Sequence, residues 1–181
     1  MRPAPEVHDA LACLLTYPGE GEGHEQYRAA AAVVSRACPE TADGLRRFTE
    51  AIAGYEAGEL EELYTRTFDN VAERSLELGW QLFGENYARG VLMVRFRALM
   101  RRHGVPERTE LPDHLTHVLA LLGRAPDGLA SALAHGQVQQ GVAPILEALR
   151  THESPWLGVL EAVSAVLERH VNDEVPAEAM P

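Results

Sequence analysis

Lysine is absent from this chain, and all 16 cationic side chains apart from histidine are arginine. Cysteine is nearly absent, present only as Cys13 and Cys38. Two thiols outside any C-x-x-C pair cannot frame a disulfide-stapled secreted domain, so reduced thiols buried among apolar neighbours are expected. No apolar run approaches the roughly 20 residues that cross a bilayer. The apolar patch Leu11–Leu15 is preceded by Asp9 and cut off by Pro18, so it does not read as a signal peptide, and a cytoplasmic protein is expected. Positive charge is scarce. The 27 carboxylates leave a formal net charge of −11, which repels nucleic-acid phosphates and anionic lipid and suits solubility or a basic partner such as an Arg-rich peptide.

Catalytic signatures are missing as well. There is no G-x-G-x-x-G, no P-loop, no H-E-x-x-H and no G-x-S-x-G around any serine. Cys13 has no basic neighbour in sequence to stabilise a thiolate. Asp113, His114 and His117 are spaced to share a helix face as metal ligands, but no second histidine cluster accompanies them. No enzyme class and no metal site follow from these patterns.

No stretch alternates with period two over a strand's length; helical periodicity runs throughout. One helix is expected from Pro5, with Val7, Leu11, Leu14 and Leu15 on one face. Others are expected over 25–37 and from Thr41 to Gly58, with Leu45, Phe48, Ile52 and Tyr55 in phase. A helix through Leu60–Phe68 precedes a looser stretch, 69–84, within which Ser75–Phe83 reads as a short helix carrying Trp80. A long helix from Asn86 to His103 is stopped by Gly104 and Pro106. Further helices are expected over 110–123, near 127–135, over 142–151 and, behind the Ser154-Pro155 start signal, to about His170. The fold expected is all-α: a single-domain helical bundle over 1–171, with a flexible acidic tail over 172–181.

Three segments carry the functional signal. The first, L-E-E-L-Y-T-R-T-F-D (60–69), places Tyr64 and Phe68 on one helical face, where core packing and a groove wall both account for them. Asp69 follows that helix and would repel its carbonyl end, so it should cap the next element or pair with an arginine. The second, G-E-N-Y-A-R-G (84–90), suggests Arg89 held by Asp69 or Asp113. Gly90 inside a helix suggests a closely approaching neighbour. The third, E-L-P-D-H-L (110–115), reads as a helix start, with Pro112 in the first turn and Glu110 and Asp113 near the positive end. Arg95, Arg97, Arg101 and Arg102 form a basic stripe, read as a solvated face paired with glutamates.

These segments, in this order and spacing, resemble the NarJ/TorD-type chaperones, redox-enzyme maturation proteins. The L-L-T-Y-P at 14–18 and the S-P-W start of the last helix extend the likeness over most of the chain. Two departures are visible: Tyr87-Ala88 stands where the family is often basic, and T-H-V-L-A-L follows Leu115 where L-P-x-x-L-E-F is common. A sister clade serving another molybdoenzyme is therefore as compatible as nitrate reductase.

The resemblance implies a non-enzymatic, cytoplasmic chaperone with the helical fold of that family. Such a protein would bind the N-terminal segment of an apo molybdoenzyme catalytic subunit and assist insertion of bis-molybdopterin guanine dinucleotide. It would hold no cofactor permanently, and cofactor-biosynthesis proteins are possible further partners. On this reading the apolar wall of the peptide site is Tyr64, Phe68, Trp80, Leu111 and Leu115. The acidic edge is Asp69, Glu110 and Asp113, with Arg89, Pro112 and His114 completing it. The alternative is a helical peptide-binding regulator with no molybdoenzyme client.

Overall fold

The computed structural model describes residues 3–19 and 23–170; the acidic tail expected over 172–181 lies outside them. Among the described residues, helix is the only regular structure apart from one isolated antiparallel bridge. The bundle is organised around the end of its first helix, α1 (Pro5–Leu14). Pro5 opens it, where the missing N–H has no partner to lose. At the other end, the carbonyls of Leu14, Leu15 and Thr16 point into the core. Each receives the polar tip of an aromatic side chain: Trp156 Nε1–H donates to Leu14 at 3.1 Å, Tyr64 O–H to Leu15 at 2.8 Å and Tyr27 O–H to Thr16 at 2.6 Å. Carbonyls at a helix end lack intrahelical partners, and burying them without such donors would be costly.

The same rings form the centre of the core. Tyr27 comes from α2 (Gly23–Ala37), Phe48 from α3 (Ala42–Ile52), and Tyr64 and Phe68 from α4 (Ala57–Phe68). All four rings lie 5.4–6.3 Å, centroid to centroid, from Trp156, which caps α10 (Leu157–Glu168). One indole therefore ties five helices together. α10 crosses α3 backbone to backbone at Gly158 and Gly44, where a Cβ on Gly158 would sit 2.3 Å from the Gly44 carbonyl oxygen.

The other half of the bundle holds α5 (Leu78–Phe83), α6 (Tyr87–Arg102), α7 (Leu115–Arg124), α8 (Asp127–Leu133) and α9 (Gln139–Thr151). α7 packs on α1, and α5 packs on α9 and α6. Asn86 caps α6, accepting from the Ala88 N–H at 3.0 Å. Gly104, at φ +70°, ends it in the left-handed region as its sequence position suggested. No helix among the described residues is long and apolar enough to cross a membrane.

Several boundaries differ from the sequence reading. α3 stops at Ile52, not at Gly58, and leaves Tyr55 exposed. α8 and α9, read as separate helices, run together through a π-helical turn, Ala134–Val138. α7 begins at Leu115, five residues later than expected: Glu110–Asp113 form a turn ahead of the helix, and His114 is its cap.

Candidate functional site

The third segment is built as a clip. Residues 76–78 and 113–115 run antiparallel: Leu78 N–H donates to the Asp113 carbonyl at 2.9 Å, and Leu115 N–H to the Leu76 carbonyl at 2.8 Å. This positions the Asp113 carboxylate under the start of α5. Its Oδ2 accepts from the Gly79 N–H at 3.2 Å and from Arg89 Nε at 3.1 Å. Arg89 also donates to Glu77 at 2.7 Å, and its guanidinium lies 5.9 Å from the Trp80 ring centroid. Gly79 is required here, because a Cβ would meet Asp113 Oδ2 at 2.5 Å. Arg89 is thus held by a buried carboxylate, and of the two candidates it is Asp113. Glu77, the second partner, sits just ahead of α5, in the looser stretch where a short helix over 75–83 was expected. Its only sequence signal was a lone acid just before the Gly-Trp pair.

This geometry corrects four expectations. Asp113 is fully buried, so it faces an internal arginine and not a groove edge. Tyr64 and Leu115 are buried too and line neither hollow described below, and Phe68 is buried with its ring beside Trp156 and reaches only the floor of the smaller hollow; the chain spends its largest rings on the α1 carbonyls and the Trp156 hub. Asp69 neither caps the next element nor pairs with an arginine; it ends α4 and is exposed. Gly90 meets nothing within 4 Å, so no close approach explains it.

The remaining residues do converge. A hollow of about 230 Å³ is lined by Phe68, Asp69, Leu76, Glu77, Glu110 and His114. A larger cleft of about 620 Å³ runs between α1, α7 and the loop before α7, with Tyr17, Cys13, Arg108 and His117 among its walls. Glu110 and His114 belong to both and join them. Leu111 is exposed beside Glu110, Pro112 is buried beneath, and Trp80 is half-buried on the Arg89 side of the clip. Tyr17, whose O–H donates to Glu61 at 3.2 Å, and His117 were missed as site residues; the exposed tyrosine of L-L-T-Y-P was the signal for the first.

The electrostatics are those of an unanswered acidic site. Asp69 is solvent-exposed, yet partial desolvation by the surrounding protein raises its carboxyl pKa above the usual value, opposed by a hydrogen bond from Thr65. Glu110 is raised by burial and then by the nearby Asp69 and Glu77. His114 Nε2 lies 4.0 Å from Glu110, yet burial, then the neighbouring His117, pushes its pKa down to about 4. The imidazole is therefore neutral at pH 7, and the contact is no ion pair. Among the described residues no arginine pairs with Asp69 or Glu110. His117 spends both ring nitrogens locally, Nδ1–H donating to the Leu111 carbonyl at 2.9 Å and Nε2 accepting from the Arg108 N–H at 3.1 Å. It has no lone pair left for a metal, and among the described residues no three metal-binding side chains converge.

The family model described as "Nitrate reductase delta subunit" matches residues 32–162, which contain the clip, the smaller hollow and every ring of the aromatic hub except Tyr27. The chain belongs to the nitrate reductase delta subunit family. Within its reach lies a curated relative from Bacillus subtilis (strain 168), the "Probable nitrate reductase molybdenum cofactor assembly chaperone NarJ". It is 26% identical over 160 residues, covering 88% of this chain and 86% of the relative. The likeness inferred from the three segments is thus to the family whose model matches residues 32–162. For this delta-family protein the clip is scaffold, and the joined cleft above it is the candidate site.

Proposed function

We propose that this protein is a maturation chaperone that captures the N-terminal segment of an apo molybdoenzyme catalytic subunit in the joined cleft. The observation that carries this reading is the pair Asp69, in the smaller hollow, and Glu110, where the two hollows join: partly desolvated carboxylates with which, among the described residues, no arginine pairs. An arginine or lysine entering from a client would relieve both burial and mutual repulsion. Phe68 and Leu76 form the floor of the smaller hollow, Tyr17 lies in the larger cleft, and Leu111 is exposed nearby, so the apolar side chains flanking such a cation have surfaces to rest on.

The chaperone makes and breaks no bonds on this reading. The molybdenum cofactor is the client's cargo, and the chaperone's part is to hold the client segment until the bis-molybdopterin guanine dinucleotide has been inserted. The relative's printed name supports this role, as does the absence of any catalytic signature in the sequence.

Calorimetric titration with a synthetic N-terminal peptide of a molybdoenzyme catalytic subunit tests the reading. Asp69→Asn combined with Glu110→Gln should weaken binding about 10-fold or more without lowering the thermal midpoint, because it removes two desolvated, mutually repelling charges with which, among the described residues, no arginine pairs. Binding should also weaken as pH falls, beginning above the ordinary carboxylate range, because both groups protonate early. Undiminished binding by the double variant would remove the cleft from consideration.

A further inference from the structure

The outer face of α6 is apolar where a surface helix is normally polar. Tyr87, Val91 and Val94 are 87%, 52% and 67% exposed, and Ala98 is exposed in line with them. Spacings of four, three and four put them on a single stripe. The opposite face carries Leu92, Phe96 and Met100, all buried. Phe83, at the end of α5, adds a further exposed ring. A helix apolar on two opposite faces is normally covered on both, and a contiguous exposed apolar stripe is a common mark of a contact surface.

The charges around the stripe are arranged along its length. α6 carries five arginines and no carboxylate. Arg89 and Arg97 are engaged by Asp113 and Glu107, while Arg101 and Arg102 are exposed on the last turn. Glu85 is exposed at the other end, just before the cap.

We propose that this face pairs two copies of the chain through an antiparallel α6–α6 contact about a twofold axis. The midpoint of the stripe falls between Val91 and Val94. Antiparallel pairing about that point sets Val91 against Val94 of the second copy, and Tyr87 against Ala98, a large ring opposite a methyl group. The same register lays Arg101 and Arg102 over the second copy's α5–α6 turn, where Glu85 and Phe83 are exposed, giving an ion pair and a cation–π contact twice over. Parallel pairing would instead stack Tyr87 on Tyr87 and arginine on arginine. Four stripe residues and Phe83 are far fewer than the roughly 20–30 residues a side of a standard interface, so the pairing is weak and concentration-dependent. It shares no residue with the joined cleft, so pairing and client capture are independent.

Sedimentation velocity of the full chain over about 1–300 µM tests this. A monomer–dimer equilibrium is expected. Val94→Asp should weaken it about 30-fold or more, with helicity and peptide binding unchanged. Glu85→Arg and Arg101→Glu should each weaken it about fivefold, and the two together should restore it. A chain monomeric throughout, a dimer indifferent to Val94→Asp, or a charge swap without rescue would overturn the proposal. So would binding of the monomeric chain to phosphatidylglycerol vesicles that Val94→Asp abolishes, which would assign the stripe to lipid.

Discussion

Asp113 uses a single carboxylate oxygen to hold Gly79 and Arg89, and its other oxygen is buried with no hydrogen-bond partner among the described residues. Removing it would strand the Arg89 guanidinium between Glu77 and an apolar void and release the start of α5. Asp113→Ala should therefore destabilise the fold by about 3 kcal/mol in urea denaturation, the scale for breaking a buried pair. A stable Asp113→Ala with weakened peptide binding would instead return this residue to the binding edge. His114, one position on, gives a pH signature. Its folded pKa lies near 4, below the value of about 6.5 in an unfolded chain. The unfolded state therefore takes up the proton first, and stability present above pH 6.5 is lost as pH falls towards 4, by on the order of 3 kcal/mol. His114→Asn keeps a capping acceptor and removes the titration, so the difference in urea midpoint between the two proteins should change across that window and stay flat above it. At this scale the sequence showed that Arg89 needed a carboxylate and offered two. It could not choose, because the choice depends on an antiparallel contact between residues 76–78 and 113–115.

Helix positions were legible because apolar spacing and Gly/Pro stop signals are local properties: α2 and α6 fall within two residues of expectation, and α1 starts at Pro5 as expected but ends at Leu14, ahead of the Pro18-Gly19 stop. Element ends failed where a non-local contact overrode them. E-L-P-D looks like a helix start, but pairing with 76–78 pulls Asp113 into an extended segment and defers the helix to Leu115. The join of α8 to α9 was hidden for a similar reason. The π turn at Ala134–Val138 places His135, whose Nε2 donates to the His170 carbonyl, and Gly141 of α9 lies against Leu78. The α3–α10 crossing makes a further element-scale prediction. Gly158→Ala puts a methyl group into the Gly44 backbone, which cannot move aside as a side chain would. It should cost about 3 kcal/mol and lower the thermal midpoint. Gly90→Ala, with open space around it and a gain in helix propensity, should raise stability by up to about 1 kcal/mol.

For the whole molecule, a net charge of −11 sets a field that favours basic ligands at long range. Peptide association should be fastest at low ionic strength, and raising salt from about 50 to 500 mM should slow it strongly, as the screening length falls from more than about 10 Å to less than about 8 Å. Stopped-flow association rates check this; a rate indifferent to salt would show that apolar contacts alone govern encounter. Pairing through α6 should show the opposite balance, depending chiefly on Val91, Val94 and Tyr87 and only modestly on salt.

Composition and periodicity by themselves determined that the chain is helical, acidic and without a catalytic signature, because those properties sum over local spacings and charges. The three segments added the family, since their residues and intervals survive without any knowledge of contacts. What the tertiary structure decided was which side of each residue is inside. Tyr64 and Phe68 share a helical face that serves equally as core or as groove wall, and Trp156, 88 residues beyond Phe68, settles it by drawing both rings around the indole. Burial of that kind depends on pairs far apart in the chain, and no one-dimensional pattern contains them.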